Sequence, residues 1–349
     1  MSLNGFQLLR PRTVSDAVTL LSKHAPALTL AEPNTKLARG GVQILAGGTD
    51  LVPSMGQKLF EPDYVLDIRG IGELRGIREL PDGGVEIGAL TTLTEVERSP
   101  LITDRFRVLH EAVKTVASPV IRNQATLGGN LCLDTRCLWY NQSLAWRKSC
   151  GFCIKKDGDL CHVAPGGTKC WAAFSADTPP ALLCLGAEVE IAGPGGARRA
   201  AVSELYTNVG DGRIRLAKNE IVTRVFLPSA SAGMRGAYLK LRMRGSIDYP
   251  LAGVAVAFHA NGHIEHPRVA LTAVNPAPLL VKGTDRLLGG KSTAAVAELA
   301  EQVADAAART AKPLTTSALT PEYRREMIRV FTRRALLAAL VENFQRRGR

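Results

Sequence analysis

Six of the seven cysteines in this 349-residue chain fall between Cys132 and Cys170, after 131 residues that contain none. Thiolates are soft ligands, and four of them in one compact segment can hold a Zn²⁺ ion or an iron–sulfur cluster, both of which accept tetrahedral sulfur. In a reducing compartment such a group is expected to bind metal rather than to form disulfides. Buried free cysteines with no ligand would require six to gather in one segment without purpose. Spacing alone favours the CxxC pair, Cys150 and Cys153, as ligands. All three tryptophans, Trp139, Trp146 and Trp171, accompany the cysteines. They would either shield a cluster from water or form the core of a small lobe.

Two further stretches carry chemistry of another kind, ILAGGTDL at 44–51 and ATLGGNLC at 125–132. Paired glycines let successive backbone N–H groups converge on an anion and let a ligand approach without meeting a Cβ. Thr49 and Thr126 add hydroxyl groups, and Asp50 or Asn130 could hold a sugar or the backbone. Either turn alone reads as a tight turn and no more. Two in one domain point to a diphosphate cradle, with the dinucleotide left open.

The elements that must position these residues alternate between strand and helix. TVSDAVTLLSKH (13–24) opens with a capping pattern, Thr13 and Asp16, and is expected to be helical. VQILAGGTDLVPSMGQKL reads as strand, glycine turn and helix; YVLDI and GVEIGAL read as strands. TTLTEVE begins a helix capped by Thr92 and Glu95, and RFRVLHEAVKTVA (105–117) is another. PALLCLGAEVEIAG is read as a strand pair and NEIVTRVFLP as a strand. From about residue 231 the pattern becomes an antiparallel sheet followed by helices. The expectation is a mixed α/β (α+β) protein with a first domain over 1–230 containing the cysteine-rich insertion 132–172, and a second over 231–349.

Composition narrows the function classes. The N-terminus has no basic leader followed by an apolar run, and no window approaches the ~18 apolar residues of a membrane helix, so a cytoplasmic protein without a membrane partner is expected. The net charge of +12 raises nucleic acid as a partner. Its densest part is the C-terminal helical segment from Pro321, whose eight arginines fit a solvated face or a subunit contact and lack the interleaved aromatics of a base-stacking surface. No nucleic-acid partner is expected. His259, His263 and His266 flank an Asn261-Gly262 hairpin signal and are not expected to converge on a metal. GGKS at 289–292 lacks the first glycine of a phosphate loop, since position 285 is Asp285.

AGGTDL followed some eighty residues later by ATLGGN resembles the FAD-binding subunits of the molybdenum hydroxylase (xanthine dehydrogenase) family, along nearly the whole chain. The resemblance implies a two-lobed FAD-binding domain of the vanillyl-alcohol oxidase type plus a small C-terminal α/β domain. It implies that Ile44, Leu45, Ala46, Gly47, Gly48, Thr49, Asp50 and Leu51 wrap the FAD diphosphate, with Thr126, Gly129 and Asn130 on its other side. Val116 would touch the flavin, and Asp177, Val222 and Lys240 match the remaining contacts. The segment LAEPNTKLARG lengthens the first lobe and is expected to be a loop.

The insertion itself is similar to that of the flavin subunits of 4-hydroxybenzoyl-CoA reductases, matched by DTRC, YNQS, WR, KKDGD and CHV. In those subunits the loop holds a [4Fe-4S] cluster. The ligand spacing of sixteen, eight and nine residues falls on Cys137, Cys153, Cys161 and Cys170, which leaves Cys132 and Cys150 outside the set.

The function this resemblance implies is electron transfer from a low-potential, ferredoxin-like donor through [4Fe-4S] and FAD to a small [2Fe-2S] subunit and a large molybdenum-cofactor subunit, in a dimer of heterotrimers. No catalytic acid, base or nucleophile is expected here. A second reading keeps the fold but sends electrons outward to NAD⁺ or another acceptor, as in a related aromatic-compound hydroxylase. A third, from another class, is a zinc-stapled protein that is not an enzyme.

Overall fold

In the computed structural model, residues 3–24 and 40–341 are described. They build three sheets. The first is parallel, in the order β1-β3-β2, from β1 (Gln7–Leu9), β2 (Val42–Leu45) and β3 (Tyr64–Asp67). Tyr64 stands opposite both Gln7 and Val42. The helix Val14–His24 covers this sheet, burying Ala17, Val18 and Leu21, and Thr13 Oγ1 accepts from Asp16 N at 3.1 Å. The segment LAEPNTKLARG, expected as a loop, lies outside the described residues except for Gly40.

The second sheet is antiparallel, in the order β4-β5-β8-β6-β7, from β4 (Ile77–Glu79), β5 (Val85–Gly88), β6 (Glu188–Gly193), β7 (Gly196–Ala201) and β8 (Ile221–Leu227). Over it lie the helices Leu93–Arg98 and Arg107–Thr115. The first has a complete capping box: Thr92 Oγ1 accepts from Glu95 N, and the Glu95 carboxylate accepts from Thr92 N.

The stretch PALLCL is not a strand. Thr178–Leu185 is a helix, started by Pro179 and Pro180, whose fixed φ and missing N–H are harmless in a first turn. It is stopped by Gly186 at φ +64°, the left-handed conformation that glycine adopts at no cost. All eight of its residues are buried. A uniformly apolar run has no periodicity, so the pattern could not separate helix from strand.

The third sheet is an antiparallel meander, β12-β11-β10-β9, of β9 (Arg235–Leu241), β10 (Ala252–Ala260), β11 (Ile264–Thr272) and β12 (Leu279–Leu280). The helices Arg107–Thr115 and Thr178–Leu185 pack against it from the second sheet's side, and the helices Val296–Thr310 and Pro321–Val341 pack on its other face. Covered on both faces, β10 is buried for seven consecutive residues. The Asn261-Gly262 turn joins β10 to β11; His259 Nε2–H donates to Ala230 O at 2.8 Å, and among the described residues no metal-binding group of histidines forms.

The basic C-terminal helix is less solvated than its composition implies. Arg324 is fully buried and donates to the carbonyls of Leu251, Leu314 and Ala273 at 2.8, 2.8 and 2.6 Å. Arg329 pairs with Asp305 and Glu301 across the helix pair. Among the described residues no helix is long and apolar enough to cross a membrane.

Candidate flavin cleft and four-cysteine cavity

The first glycine turn leaves β2 and enters the short helix Leu51–Gly56; the second glycine pair, expected as a turn, lies inside the short helix Leu127–Leu131, capped by Thr126 Oγ1, which accepts from Gly129 N at 3.1 Å. Helix-initial N–H groups have no partners within their own helix. The two turns meet backbone to backbone. A Cβ on Gly47 would strike the Gln124 carbonyl and come within 3.0 Å of Ala125 Cα. A Cβ on Gly128 would come 2.7 Å from Ala89 Cβ. Glycine is therefore needed here for approach, and at Gly48, with φ +74°, for conformation.

Together the turns form the floor of a cleft of about 520 Å³ that runs between the first and second sheets. Ile44, Ala46, Gly47, Gly48, Thr49, Asp50, Leu51, Val116, Thr126, Gly129, Asn130, Asp177 and Val222 all line it. Leu45 and Lys240 do not. Alternation along β2 turns the Leu45 side chain away from the face that Ile44 presents. The Lys240 ammonium is taken up behind the cleft wall by Asp177 Oδ2 and Thr115 O, both at 2.9 Å.

That pair is almost dry: the Lys240 and Asp177 side chains are 2% and 4% exposed, and Tyr238 O–H also donates to Asp177 at 2.7 Å. Removing one partner of a buried pair strands the other. Lys240→Met is expected to lower the unfolding free energy by about 3 kcal/mol, read as a shift in the urea midpoint at unchanged slope. A loss below about 1 kcal/mol would mean that the pair contributes no more than a surface ion pair.

Two expected flavin contacts have protein partners of their own. Asn130 Oδ1 accepts from Thr178 N and Thr178 Oγ1, at 3.2 and 2.7 Å, and so fixes the start of the helix Thr178–Leu185. Asp50 is held by Arg136 and by the Tyr249 hydroxyl, and the Arg136 guanidinium lies 4.4 Å from the Tyr249 ring centroid. The cysteine-rich insertion is thereby clasped to the first glycine turn. Sequence reasoning passed over Arg136, Tyr249 and Arg213. Arg213 lines the cleft and donates to the carbonyls of Leu133 and Cys132 at 2.8 and 2.9 Å. Nothing in their spacing marks them, because each acts across 75 residues or more.

The insertion builds a second, smaller cavity. Cys137, Cys153, Cys161 and Cys170 all border it, together with Trp139, Tyr140, Lys155 and His162. The four thiols are 8, 7, 5 and 4% exposed. Cys153 sits in a tight turn closed by Lys156 N donating to Cys153 O at 2.9 Å. Cys137 N donates to Asn141 Oδ1 at 3.0 Å, and Ala172 N points at Cys170 Sγ at 3.4 Å. Burial pushes the Cys137 thiol up to about 11 and that of Cys170 up to about 12, so any metal would enter by displacing protons.

Cys132 borders the flavin cleft instead, and Cys150, which ends the helix Leu144–Ser149, borders neither space. Of the tryptophans only Trp139 faces the cavity. It stacks on His162 with centroids 4.4 Å apart, and Trp146 tilts against its back at 5.6 Å.

The lining residues can be set against the two groups expected from the sequence, FAD and a sulfur-bound cluster. The glycine cradle admits a diphosphate, and four buried thiols around one closed space suit a sulfur-bound cluster. Among the described residues no three His, Cys, Asp or Glu are grouped to hold a single ion.

The profile of the family described as FAD binding domain in molybdopterin dehydrogenase matches residues 4–230, and that described as CO dehydrogenase flavoprotein C-terminal domain matches residues 237–339. The chain is 30% identical over 336 residues to the carbon monoxide dehydrogenase medium chain of Hydrogenophaga pseudoflava, covering 96% of each. To the medium chain from Afipia carboxidovorans it is 31% identical, covering 95% of this chain and 96% of the relative. Among solved structures, a chain of the cyanide-inactivated Cu,Mo-CO dehydrogenase superposes with a TM-score of 0.76 at 27% identity, covering 98% of this chain and 99% of that one.

Proposed function

This chain belongs to the FAD-binding medium subunits of the molybdenum hydroxylase family, and from that premise we propose that it is the electron-transfer subunit of a 4-hydroxybenzoyl-CoA reductase. In that reading the complex removes the phenolic hydroxyl of 4-hydroxybenzoyl-CoA to give benzoyl-CoA, at a molybdenum site on a large partner subunit. A small [2Fe-2S] subunit lies between, and a ferredoxin-like protein is the donor.

The observation that carries the proposal is the cavity of four buried thiols built beside the flavin cleft. Cys137, Cys153, Cys161 and Cys170 would hold a [4Fe-4S] cluster, and the two glycine turns with Thr126, Val116 and Val222 would hold FAD. When bound, the two supply one-electron exchange at the cluster and one- or two-electron exchange at the flavin. The protein's own part is placement and exclusion of water. Trp139 and His162 border the cavity with the thiols, and Arg136 and Tyr249 tie the insertion to the first glycine turn.

The test is turnover by the anaerobically purified complex with a reduced viologen as donor. Benzoyl-CoA formed from 4-hydroxybenzoyl-CoA supports the proposal. A complex that leaves the thioester untouched and instead hydroxylates aromatic substrates with NAD⁺ as acceptor overturns it.

A further inference from the structure

The insertion buries a cation whose position relates it to both spaces. Lys155 follows Cys153 by two residues, and its side chain is only 6% exposed. Among the described residues it is the only lysine or arginine bordering the four-cysteine cavity. Its ammonium donates to Asp134 Oδ1 at 3.0 Å and to Thr135 O and Oγ1 at 2.8 and 2.5 Å, and lies 4.1 Å from the Tyr140 ring centroid. Asp134 in turn borders the flavin cleft and receives Arg213 at 3.4 Å. Burial pushes the Asp134 carboxyl up, but Lys155 and Arg213 outweigh it and hold the group below its ordinary value. Two cations thus share one carboxylate, and a net positive charge remains between the two spaces.

A cubane ligated by four thiolates is an anion, and one-electron reduction adds another negative charge to it. In a dry site a unit charge a few ångströms away acts strongly and is little screened by salt. The geometry points to Lys155 as the residue that sets the reduction potential of the group held by the four cysteines, with Asp134 as the counterweight that moderates it. This inference rests on the reading of those thiols as [4Fe-4S] ligands. Lys155 eases entry of the electron by placing positive charge beside the cavity, and Asp134, drawing that charge toward the flavin cleft, tempers the effect.

The experiment is an anaerobic dithionite titration of the holoprotein, with dithionite supplying the electron and the reduced cluster read by electron paramagnetic resonance. Lys155→Met is expected to keep its iron and lower the ratio of reduced to oxidised cluster about tenfold at a fixed potential, equivalent to about 59 mV for one electron. Asp134→Asn, which leaves the ammonium its two Thr135 acceptors, is expected to shift the ratio the opposite way, and Lys155→Arg to stay near wild type. An unchanged midpoint in Lys155→Met with iron retained overturns the inference. If Lys155→Met loses its iron, Asp134→Asn decides: a positive shift upholds the inference, and no shift or a negative one overturns it. A wild-type protein with no cluster signal removes the reading of the four thiols and this inference together.

Discussion

Replacement of Cys153 by alanine is expected to strip the protein of iron and leave its flavin in place. The anaerobically purified wild type should carry about four irons and one FAD per chain, and Cys153→Ala should fall below one iron at unchanged flavin. The separation of effects follows from placement. Cys153 borders the small cavity, which shares no lining residue with the flavin cleft, and the glycine turns that build the cleft come from other segments. Removing one of four thiolates from a buried site leaves one iron without its thiolate ligand.

The control is Cys150→Ala. Spacing alone would pair Cys150 with Cys153, but Cys150 closes the helix Leu144–Ser149 and borders neither space. Its substitution should cost no iron. Iron that survives in Cys153→Ala and disappears in Cys150→Ala would show the ligand set to be wrong. Zinc at one per chain, with no paramagnetic signal after dithionite, would remove the cluster altogether.

The legible parts of this molecule are those with local causes. Thr92 and Glu95 form their capping box within four residues, and the Asn261-Gly262 turn fixes a hairpin whose strands flank it directly. The glycine turns were visible because an approach so close tolerates only one residue type. What escaped was set at a distance or hidden by uniformity. Thr178–Leu185 is apolar throughout, so only Pro179, Pro180 and Gly186 betray a helix. Arg324 reads as one of many surface arginines until three carbonyls from two separate loops and a strand end are found around it. Asp50 and Lys240 were expected at the flavin on family grounds; their charges are engaged by Arg136 and Asp177, partners that only the folded chain brings near. Among the six cysteines, the generic CxxC spacing points to Cys150 and Cys153, whereas the longer spacing carried by the resemblance points to the four that line one cavity, from which Cys150 is absent.

Gly47→Ala is expected to produce the converse of the Cys153 result. A Cβ at Gly47 meets the Gln124 carbonyl and lies 2.8 Å from its carbon, and both belong to the backbone that leads into the second turn. A flexible side chain could swing aside, but a peptide unit held by Gln124 N donating to Ile121 O at 3.0 Å and Ala125 N donating to Ile121 O at 2.8 Å cannot. The two turns must therefore separate, and the convergence of their N–H groups on a diphosphate is lost. Overpacking of this kind costs about 3 kcal/mol, which as lost affinity is roughly a hundredfold. Flavin released from the purified variant should fall more than tenfold per chain while iron stays near wild type, because the cysteine cavity draws nothing from residues 44–51. Far-ultraviolet circular dichroism keeps the result interpretable by separating a folded, flavin-free protein from a misfolded one. A folded Gly47→Ala protein with full flavin would show that the diphosphate is not bound where the two glycine turns meet.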